Sequence, residues 1–279
     1  MKGRLERPFC WADAGFTNVR LLNKGCIMKA NNTDIVGSFI KGLTVLECFG
    51  ADRARLTITD VAEQTGFDRA TARRCLLTLE HEGYAHYDGK FFTLTPRVLR
   101  LGMAALASLP MVQIVQPWLD QLSDKIGKSC SVAILDGTEI VYIARAAQRR
   151  VMSINLLPGS RLPAHCTSLG RVLLAGLPEA ECLDILRASD LSPRTPFSLT
   201  EPNEIMDAIH SARETGYAVI DQEVETGLRS LAVPLSNSRG HVVAALNIGM
   251  AISQDPPETM VDLYLPSLRK VQSGLQRML

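Results

Sequence analysis

The sequence predicts an α+β protein, in which a small helical domain precedes a larger domain built on a mostly antiparallel sheet. The 279 residues suffice for two domains. Helical apolar periods early in the chain end at a hairpin signal, Asp88-Gly89, and short β-rich runs then alternate with amphipathic segments. Hairpins and separately grouped helices are typical of the α+β class.

The composition is that of a globular chain, with 46% hydrophobic and 21% charged residues. The longest weakly polar stretch, 101–115, is shorter than the roughly 20 apolar residues of a membrane helix. The chain start lacks the apolar core of a secretory signal, which predicts a cytoplasmic protein without membrane contact. The seven cysteines are scattered without a C-x-x-C pair. We therefore expect no metal, no cofactor and no disulfide framework.

Four segments are predicted along the chain. Residues 1–34 show no apolar period and are expected to form a disordered tail, in which Met28 is an alternative start. Residues 35–97 are predicted to form a winged helix-turn-helix domain, 98–111 a linker helix, and 112–279 an effector-binding domain. Pro110 and Pro117 are expected to mark the entry into that last domain.

The first domain is predicted from its start and stop signals. Thr57 and Asp60 form a capping box that begins a second helix, which ends at Gly66. Asp68 is the N-cap of a third helix from Arg69 to about Glu82, and a two-stranded wing follows around the Asp-Gly pair. The first helix begins near Val36, and its spacing predicts one buried face. That face comprises Phe39, Ile40, Leu43, Leu46 and Phe49.

The larger domain is predicted from alternating short apolar runs and amphipathic segments. Strands are expected over 132–135, 140–144, 151–156, 217–224, 229–235 and 242–248. Helices are expected over 167–175, 180–188, 204–215 and 257–278.

The third helix carries a basic face suited to DNA. With Ala72, Leu76 and Leu79 buried, three arginines and Leu77 point outward near the helix start, and arginine pairs with guanine edges and phosphates. Residues 35–97 contain eight basic and eight acidic residues, so any DNA contact must come from this local cluster. The candidate DNA-contacting residues are Thr57, Thr59, Arg69, Ala70, Thr71, Arg73, Arg74 and Lys90. The alternatives are a solvated basic face, threonines that only cap, and a lysine that only aids solubility.

A second candidate site lies in the larger domain, where polar residues interrupt apolar strands. Asn247 sits within an apolar run, and a buried amide requires hydrogen-bond partners. Residues 163–170 lead into a helix start, whose free N–H groups suit a carboxylate. The polar residues that this reasoning brings together are His165, Thr167, Ser168, Asp221, Arg229, Ser230 and Asn247. They predict a pocket for a small organic acid, and the alternative is a purely structural hydrogen-bond network.

Enzyme signatures are absent from the sequence. Gly127-Lys128-Ser129 lacks the first glycine of a phosphate loop, since Leu122 occupies that position. We therefore expect no catalytic residue and no enzymatic activity. The alternative is a ligand-binding hydrolase that uses Cys166 as its nucleophile; the adjacent His165 cannot serve as its base, because neighbouring side chains diverge.

Two motif blocks, over 58–79 and over 161–170 with 227–234, resemble the IclR family of bacterial transcriptional regulators. The resemblance covers residues 35–279 and implies a GAF-like ligand domain, a homodimer or tetramer, a double-stranded DNA operator and a small carboxylic acid as inducer. Family ligand contacts fall on the positions matching Ser168, Leu169, Asp221, Ser230, Asn247 and Gly249. Some relatives have cysteine in place of Ser230 and serine in place of Asn247 and Gly249, so the ligand is expected to differ from theirs.

Residues 68–79 resemble the β-ketoadipate-pathway branch of that family. This branch implies activation of aromatic-acid catabolic genes, with RNA polymerase as a further partner. It also implies protocatechuate, 4-hydroxybenzoate or β-ketoadipate as the class of effector. The alternative within the family is a repressor of another carbon-source operon.

Overall fold

The structure, a computed structural model, describes residues 35–50, 53–107, 109–147, 156–252 and 256–279. They form two compact units, with the division between Ala105 and Leu106. The described helices include none that is long and apolar enough to cross a membrane. The expected tail over 1–34 lies outside the described residues, as does nearly all of the strand expected over 151–156, of which only Leu156 is described and is not in a strand.

The first unit is a three-helix cluster with a small sheet. Its elements are α1 (Gly37–Glu47), β1 (Arg55–Leu56), α2 (Ile58–Thr65), α3 (Arg69–His81), β2 (Ala85–Tyr87) and β3 (Phe92–Leu94). A 3₁₀ turn (Pro96–Val98) then leads into α4 (Leu99–Ala107), within which the division between the units falls. The sheet order is β1-β3-β2, and all pairs are antiparallel. The wing therefore has three strands rather than the predicted two. The sequence did not indicate β1, because a two-residue strand is too short to show an alternating pattern.

The buried face predicted for α1 is largely wrong. Phe39, Ile40 and Leu43 are 67%, 48% and 44% exposed, whereas Val45 and Cys48 are buried. Only the C-terminal end of α1 joins the core of this unit, which α2 and α3 complete. The apolar period predicted at the start of α1 thus forms an exposed apolar face.

The second unit contains five helices and six strands in its described residues. The helices are α5 (Pro110–Ile126), α6 (Ser168–Ala175), α7 (Glu179–Ala188), α8 (Pro202–Thr215) and α9 (Pro257–Leu275). The strands are β4 (Ser129–Asp136), β5 (Glu139–Ala146), β6 (Arg161–Pro163), β7 (Ala218–Asp221), β8 (Leu228–Ser236) and β9 (Val242–Ala251).

The six strands form one antiparallel sheet in the order β6-β5-β4-β9-β8-β7. Helices α5 and α9 cover one face, and α6, α7 and α8 cover the other. Alternate residues of β8 and β9 therefore enter different cores. In β9, Leu246 and Ile248 pack towards α5 and α9, so Asn247 and Gly249 face α6. The α+β prediction with a mostly antiparallel sheet is confirmed.

Several element boundaries differ from the prediction. Pro117 lies inside α5 and does not interrupt it, because Val115, Leu119 and Leu122 anchor the helix in the core. Strand β7 ends at Asp221 instead of continuing to residue 224, since Gln222 adopts a φ of 65°, which leaves the extended conformation.

Candidate functional site

The starts of α2 and α3 are each fixed by a side-chain cap. Thr57 Oγ1 accepts a hydrogen bond from the Asp60 N–H at 3.2 Å, and Asp60 Oδ2 accepts one from the Thr57 N–H at 2.7 Å. Asp68 Oδ1 accepts from the Thr71 N–H at 2.9 Å, and the Thr71 hydroxyl donates to Asp68 Oδ2 at 2.7 Å. These bonds hold the pKa of both carboxyl groups below their usual values. The predicted capping box is confirmed, as is Gly66, which ends α2 at a φ of 70°.

Helix α3 presents a cationic face at its start. Arg69, Arg73 and Arg74 are exposed, as is Ala70, and none of the three guanidinium groups has an ion-pair partner among the described residues. Ala72 and Leu76 are buried on the opposite side. Leu77, which we predicted to point outward, is half-buried and packs against the core of this unit. The solvent-facing side of the first two turns of α3 is thus formed by these three arginines and Ala70.

The other candidate DNA contacts lie at the start of α2, on α3 and on the wing. Thr57 and Thr71 use their hydroxyl groups within the caps, and Thr59 is half-buried in the first turn of α2. Lys90 is exposed at the tip of the wing, with Nζ 5.0 Å from the centre of the Phe91 ring. Arg55, which the sequence analysis missed, stacks on the same ring at 4.6 Å. The wing tip therefore carries two cations on one aromatic side chain.

Asp88 shapes the wing turn. Its Oδ1 accepts hydrogen bonds from the backbone N–H groups of Lys90 and Phe91, at 3.0 and 2.8 Å, and its Oδ2 accepts one from Arg55. These bonds, with those to the backbone dominant, lower the pKa of Asp88 to about 2. The carboxylate is thus an integral part of the turn.

A cavity lies between the sheet and α6 in the second unit. Its floor follows from the strand register, since Arg145 pairs with Ser131, Ser131 with Asn247, and Ser129 with Gly249. The space, including its mouth, is about 460 Å³. The residues that line it are Ser129, Ser131, Tyr142, Arg145, Leu156, Leu162, Thr167, Ser168, Val224, Leu228, Ser230, Asn247 and Gly249. A polar strip thus crosses an otherwise apolar cavity.

Arg145 is the charged residue among the described lining side chains. Its Nη1 donates to the neutral Ser131 hydroxyl at 3.0 Å, and no carboxylate in the described ranges lies within ion-pair distance of it. Burial holds the pKa of Arg145 below its usual value. The guanidinium is therefore a partly desolvated cation whose charge is not balanced by the described residues, which makes it a site for an anion.

The start of α6 contributes two further polar side chains to the cavity. Thr167 is the N-cap, and its Oγ1 accepts a hydrogen bond from the Gly170 N–H at 3.0 Å. Ser168 is 1% exposed, and its Oγ has no hydrogen-bond partner among the described residues. A buried hydroxyl without a partner is rare in native proteins, so Ser168 is available to a ligand.

Five of the predicted effector-site residues line the cavity and four do not. Thr167, Ser168, Ser230, Asn247 and Gly249 are brought together as the sequence indicated. Of the other four, Asp221 and Arg229 form an ion pair with each other at 3.0 Å, and Leu169 is buried in the core. His165 is 1% exposed with neither ring nitrogen hydrogen-bonded to a described residue, and burial lowers its pKa.

The sequence analysis missed several lining residues, above all Arg145, Ser131 and Tyr142. Ser129 and Ser131 show a usable signal, because polar residues at alternate positions of an apolar strand indicate a polar face. Arg145 and Tyr142 give no such signal. They are three residues apart, and they share a face because the register shifts within the β4–β5 pair near Val132 and Ala133.

Cys166 has the properties of a structural thiol. The side chain is buried, and this burial raises its pKa to about 11. A thiol becomes a nucleophile only as the thiolate, which this environment disfavours. The geometry therefore argues against the hydrolase alternative.

The first unit is a winged helix-turn-helix with an exposed arginine face, and the second contains a cavity suited to an anion. This combination defines the class of ligand-responsive DNA-binding regulators. The chain matches the IclR helix-turn-helix domain over residues 38–89 and the bacterial transcriptional regulator IclR C-terminal domain over residues 103–274. It belongs to the IclR family of transcriptional regulators, as the motif blocks predicted.

The relatives agree with the predicted branch of the family. The Pca regulon regulatory protein of Pseudomonas putida is 40% identical over 236 residues, which cover 84% of this chain and 81% of that protein. The p-hydroxybenzoate hydroxylase transcriptional activator of Acinetobacter baylyi is 35% identical over 250 residues, covering 88% of this chain and 92% of that protein.

Two solved structures are similar throughout their length. A putative transcriptional regulator from Rhodococcus sp. RHA1 is 43% identical with a TM-score of 0.73, and the match covers 87% of this chain and 97% of that one. The PobR inducer-binding domain from Acinetobacter, a double mutant in complex with 3-hydroxybenzoic acid, is 29% identical with a TM-score of 0.57. That match covers 60% of this chain and 98% of the domain.

Proposed function

We propose that this protein is a cytoplasmic transcriptional activator of aromatic-acid catabolic genes, which binds double-stranded DNA and responds to a small organic acid. The observation that carries the proposal is Arg145, a cation with a neutral partner in a cavity otherwise lined by neutral side chains. Apolar side chains with a few polar groups among them are the usual lining of small-ligand pockets. The relatives named for Pca and p-hydroxybenzoate regulation support an aromatic acid.

The arginine face of α3 is proposed to enter the major groove, with the wing beside it. Its members are Arg69, Ala70, Thr71, Arg73 and Arg74, and Thr57, Thr59 and Lys90 are proposed to contact the backbone. We keep the division into a DNA-binding domain over 35–97, a linker over 98–111 and an effector-binding domain over 112–279. In the effector domain, the acid is proposed to bind the cavity-lining residues. The proposed role of the other four residues is to hold the lining residues in position: His165, Leu169, Asp221 and Arg229.

A homodimer or tetramer is part of the same proposal. Two recognition helices read successive major grooves only when two copies pair. The exposed apolar face of α1, which includes Phe39, Ile40 and Leu43, supports a contact with a second copy, because apolar residues at helical spacing are typical of a buried face. RNA polymerase is the proposed further partner of the bound activator.

The test is an operator-binding measurement with and without acids. Fluorescence anisotropy with the promoter DNA of a neighbouring catabolic operon should show an affinity that changes on addition of protocatechuate, 4-hydroxybenzoate or β-ketoadipate. A promoter-reporter assay should then show transcription that rises with the acid and is lost without the regulator. Transcription that rises on deleting the regulator would instead identify a repressor, and operator affinity unchanged by every acid would refute the proposed effector class.

A further inference from the structure

The cavity has polar groups on two different elements. Arg145 lies on β5, and Ser168 begins α6, which packs mainly against β8 and β9. Strands β5 and β9 are separated by β4, and adjacent strands lie about 4.8 Å apart. The floor between β5 and the strands beneath α6 is thus about 10 Å wide, which is room for a benzoate ring with one substituent at each end.

Arg145 is the stronger of the two anion-binding features. A guanidinium has five N–H donors, and the described residues accept from Nη1 alone, through the Ser131 hydroxyl. Carboxylates match this planar group with two parallel hydrogen bonds, which are about twice as strong as bonds between neutral groups. A ligand carboxylate here would balance a charge that the described lining residues leave unbalanced.

The N-terminus of α6 is the competing place for a carboxylate. It carries only about half of a unit charge, which is spread over several N–H groups. Two of its four N–H groups are already bonded, because Gly170 donates to Thr167 Oγ1 at 3.0 Å and Thr167 donates to the Ala164 carbonyl at 3.5 Å. The full positive charge of the guanidinium therefore attracts a carboxylate more strongly than the remaining N–H groups at the start of α6 do.

Ser168 suits a neutral group at the other end. Its hydroxyl is buried without a described partner. A serine hydroxyl can either donate a hydrogen bond to a ligand hydroxyl or accept one from it. Gly249 on β9 leaves space in the cavity, since a Cβ built there would meet no atom within 4 Å. An aromatic ring can therefore lie between Arg145 and Ser168.

We infer that the effector lies across the sheet with its carboxylate on Arg145 and a ring hydroxyl on Ser168. The preferred ligand is then a hydroxybenzoate with one carboxylate, rather than a dicarboxylate such as β-ketoadipate, whose second charge would meet only the weaker, partial positive charge at the start of α6. This inference rests on the proposed function, since it assigns the orientation and specificity of the acid proposed there.

The test uses the full-length protein and isothermal titration calorimetry. The ligands are 4-hydroxybenzoate, its neutral carboxamide, benzoate and β-ketoadipate, followed by the same series built on protocatechuate. Arg145→Met removes the proposed carboxylate partner, and Ser168→Ala removes the proposed hydroxyl partner. Arg187→Met is the matched loss of one positive charge, because Arg187 lies on α7 outside the cavity and its side chain is 74% exposed.

The inferred orientation predicts a crossed pattern. Arg145→Met should weaken the hydroxybenzoate at least about 10-fold, and it should change the affinity for the carboxamide by less than about 3-fold. Ser168→Ala should weaken the hydroxybenzoate by about 3- to 10-fold and leave benzoate unchanged. Arg187→Met should match wild type. Melting temperatures of the free variants report whether each is folded, and Ser168→Ala should be at least as stable as wild type.

Two results would overturn the inference alone. In the first, Arg145→Met weakens the carboxamide as much as the acid, and Ser168→Ala loses benzoate binding. This result would mean that the ring hydroxyl lies on Arg145 and the carboxylate on Ser168. The other is a wild-type affinity for β-ketoadipate that equals or exceeds that for both hydroxybenzoates, which would mean that the cavity accepts a second charge. If wild type binds none of these acids, the proposed function itself is refuted and the inference with it.

Discussion

Gln116 on α5 donates a hydrogen bond from Nε2 to the backbone carbonyl of Arg145 on β5 at 3.2 Å. The same amide group donates to Asp120 Oδ1 at 2.8 Å, which holds the side chain against its own helix. In sequence, α5 follows α4 after only two residues. The strand that carries the cavity cation is therefore bonded to the helix that leads back along the chain to the DNA-binding unit.

Gln116→Ala should separate effector binding from the DNA response. We expect the affinity for the acid to change by less than about 3-fold, because the Arg145 side chain is untouched. The acid-induced change in operator affinity, which for regulators typically corresponds to about 1–3 kcal/mol, should shrink. Anisotropy titrations with and without acid measure both quantities. Gln113→Ala, exposed on the same helix, is the matched control, and a full response in Gln116→Ala would show that this bond plays no part.

Arg73→Ala should weaken operator binding while the second unit keeps its ligand affinity. Loss of one base contact by arginine costs about 1–3 kcal/mol, so we expect operator affinity to fall by about 5-fold to 150-fold. Anisotropy with operator DNA measures this loss, and calorimetry with the acid checks the second unit. Arg239→Ala, in an exposed loop of the second unit, should bind operator as wild type does. Unchanged operator affinity in Arg73→Ala would exclude α3 as the recognition surface.

Two glycines of the second unit should respond in opposite ways to an added methyl group. A Cβ at Gly170 would lie 2.1 Å from the Ala164 carbonyl oxygen, whereas one at Gly249 would meet no atom within 4 Å. Gly170→Ala should therefore destabilise the unit by about 2 kcal/mol or more. Gly249→Ala should leave the melting temperature unchanged and weaken binding of the aromatic acid. An unaltered acid affinity in a folded Gly249→Ala variant would mean that the ligand does not occupy this part of the cavity.

The wing should open at low pH because of Asp88. A carboxyl group whose folded-state pKa is lowered stabilises the fold above its ordinary pKa of about 3.9, and that stabilisation is lost as pH falls towards about 2. Hydrogen exchange of peptides over 85–94, compared at each pH with Asp88→Asn, isolates this effect from the intrinsic pH dependence of exchange. We expect protection in wild type to fall to that of the variant between about pH 4 and pH 2. If the difference in protection between wild type and Asp88→Asn stays constant across this range, the lowered pKa of Asp88 does not stabilise the wing.

The double substitution Phe39→Ser with Leu43→Ser should reduce self-association. Both side chains are exposed on α1, so their loss removes little packing among the described residues, and the melting temperature of the dissociated protein should change little. Sedimentation velocity over a range of protein concentrations measures the shift towards monomer. The same stoichiometry and dissociation constant as wild type would show that the α1 face is not the contact between copies.

How well the sequence predicted a feature depended on the range of the interactions that form it. The caps at Thr57 and Asp68 join groups three residues apart, so residue identity and spacing were enough. Arg145 reaches the cavity only because three strands align and the β4–β5 register shifts, and these depend on pairings across the whole sheet. The period of α1 correctly indicated a helix, but periodicity alone does not say whether its apolar side packs inside the chain.

The alternation in β9 separates recognition from folding within one strand. Leu246, Ile248 and Met250 pack into the core beneath α5 and α9, while Asn247 and Gly249 line the cavity on the other face. Positions 247 and 249 could accordingly be randomised to retune the protein as a biosensor for other acids, with the hydrophobic layer left intact. A single-residue deletion in β9, in contrast, would move the apolar side chains to the cavity face and the polar ones to the core face, which would disrupt the cavity and the core together.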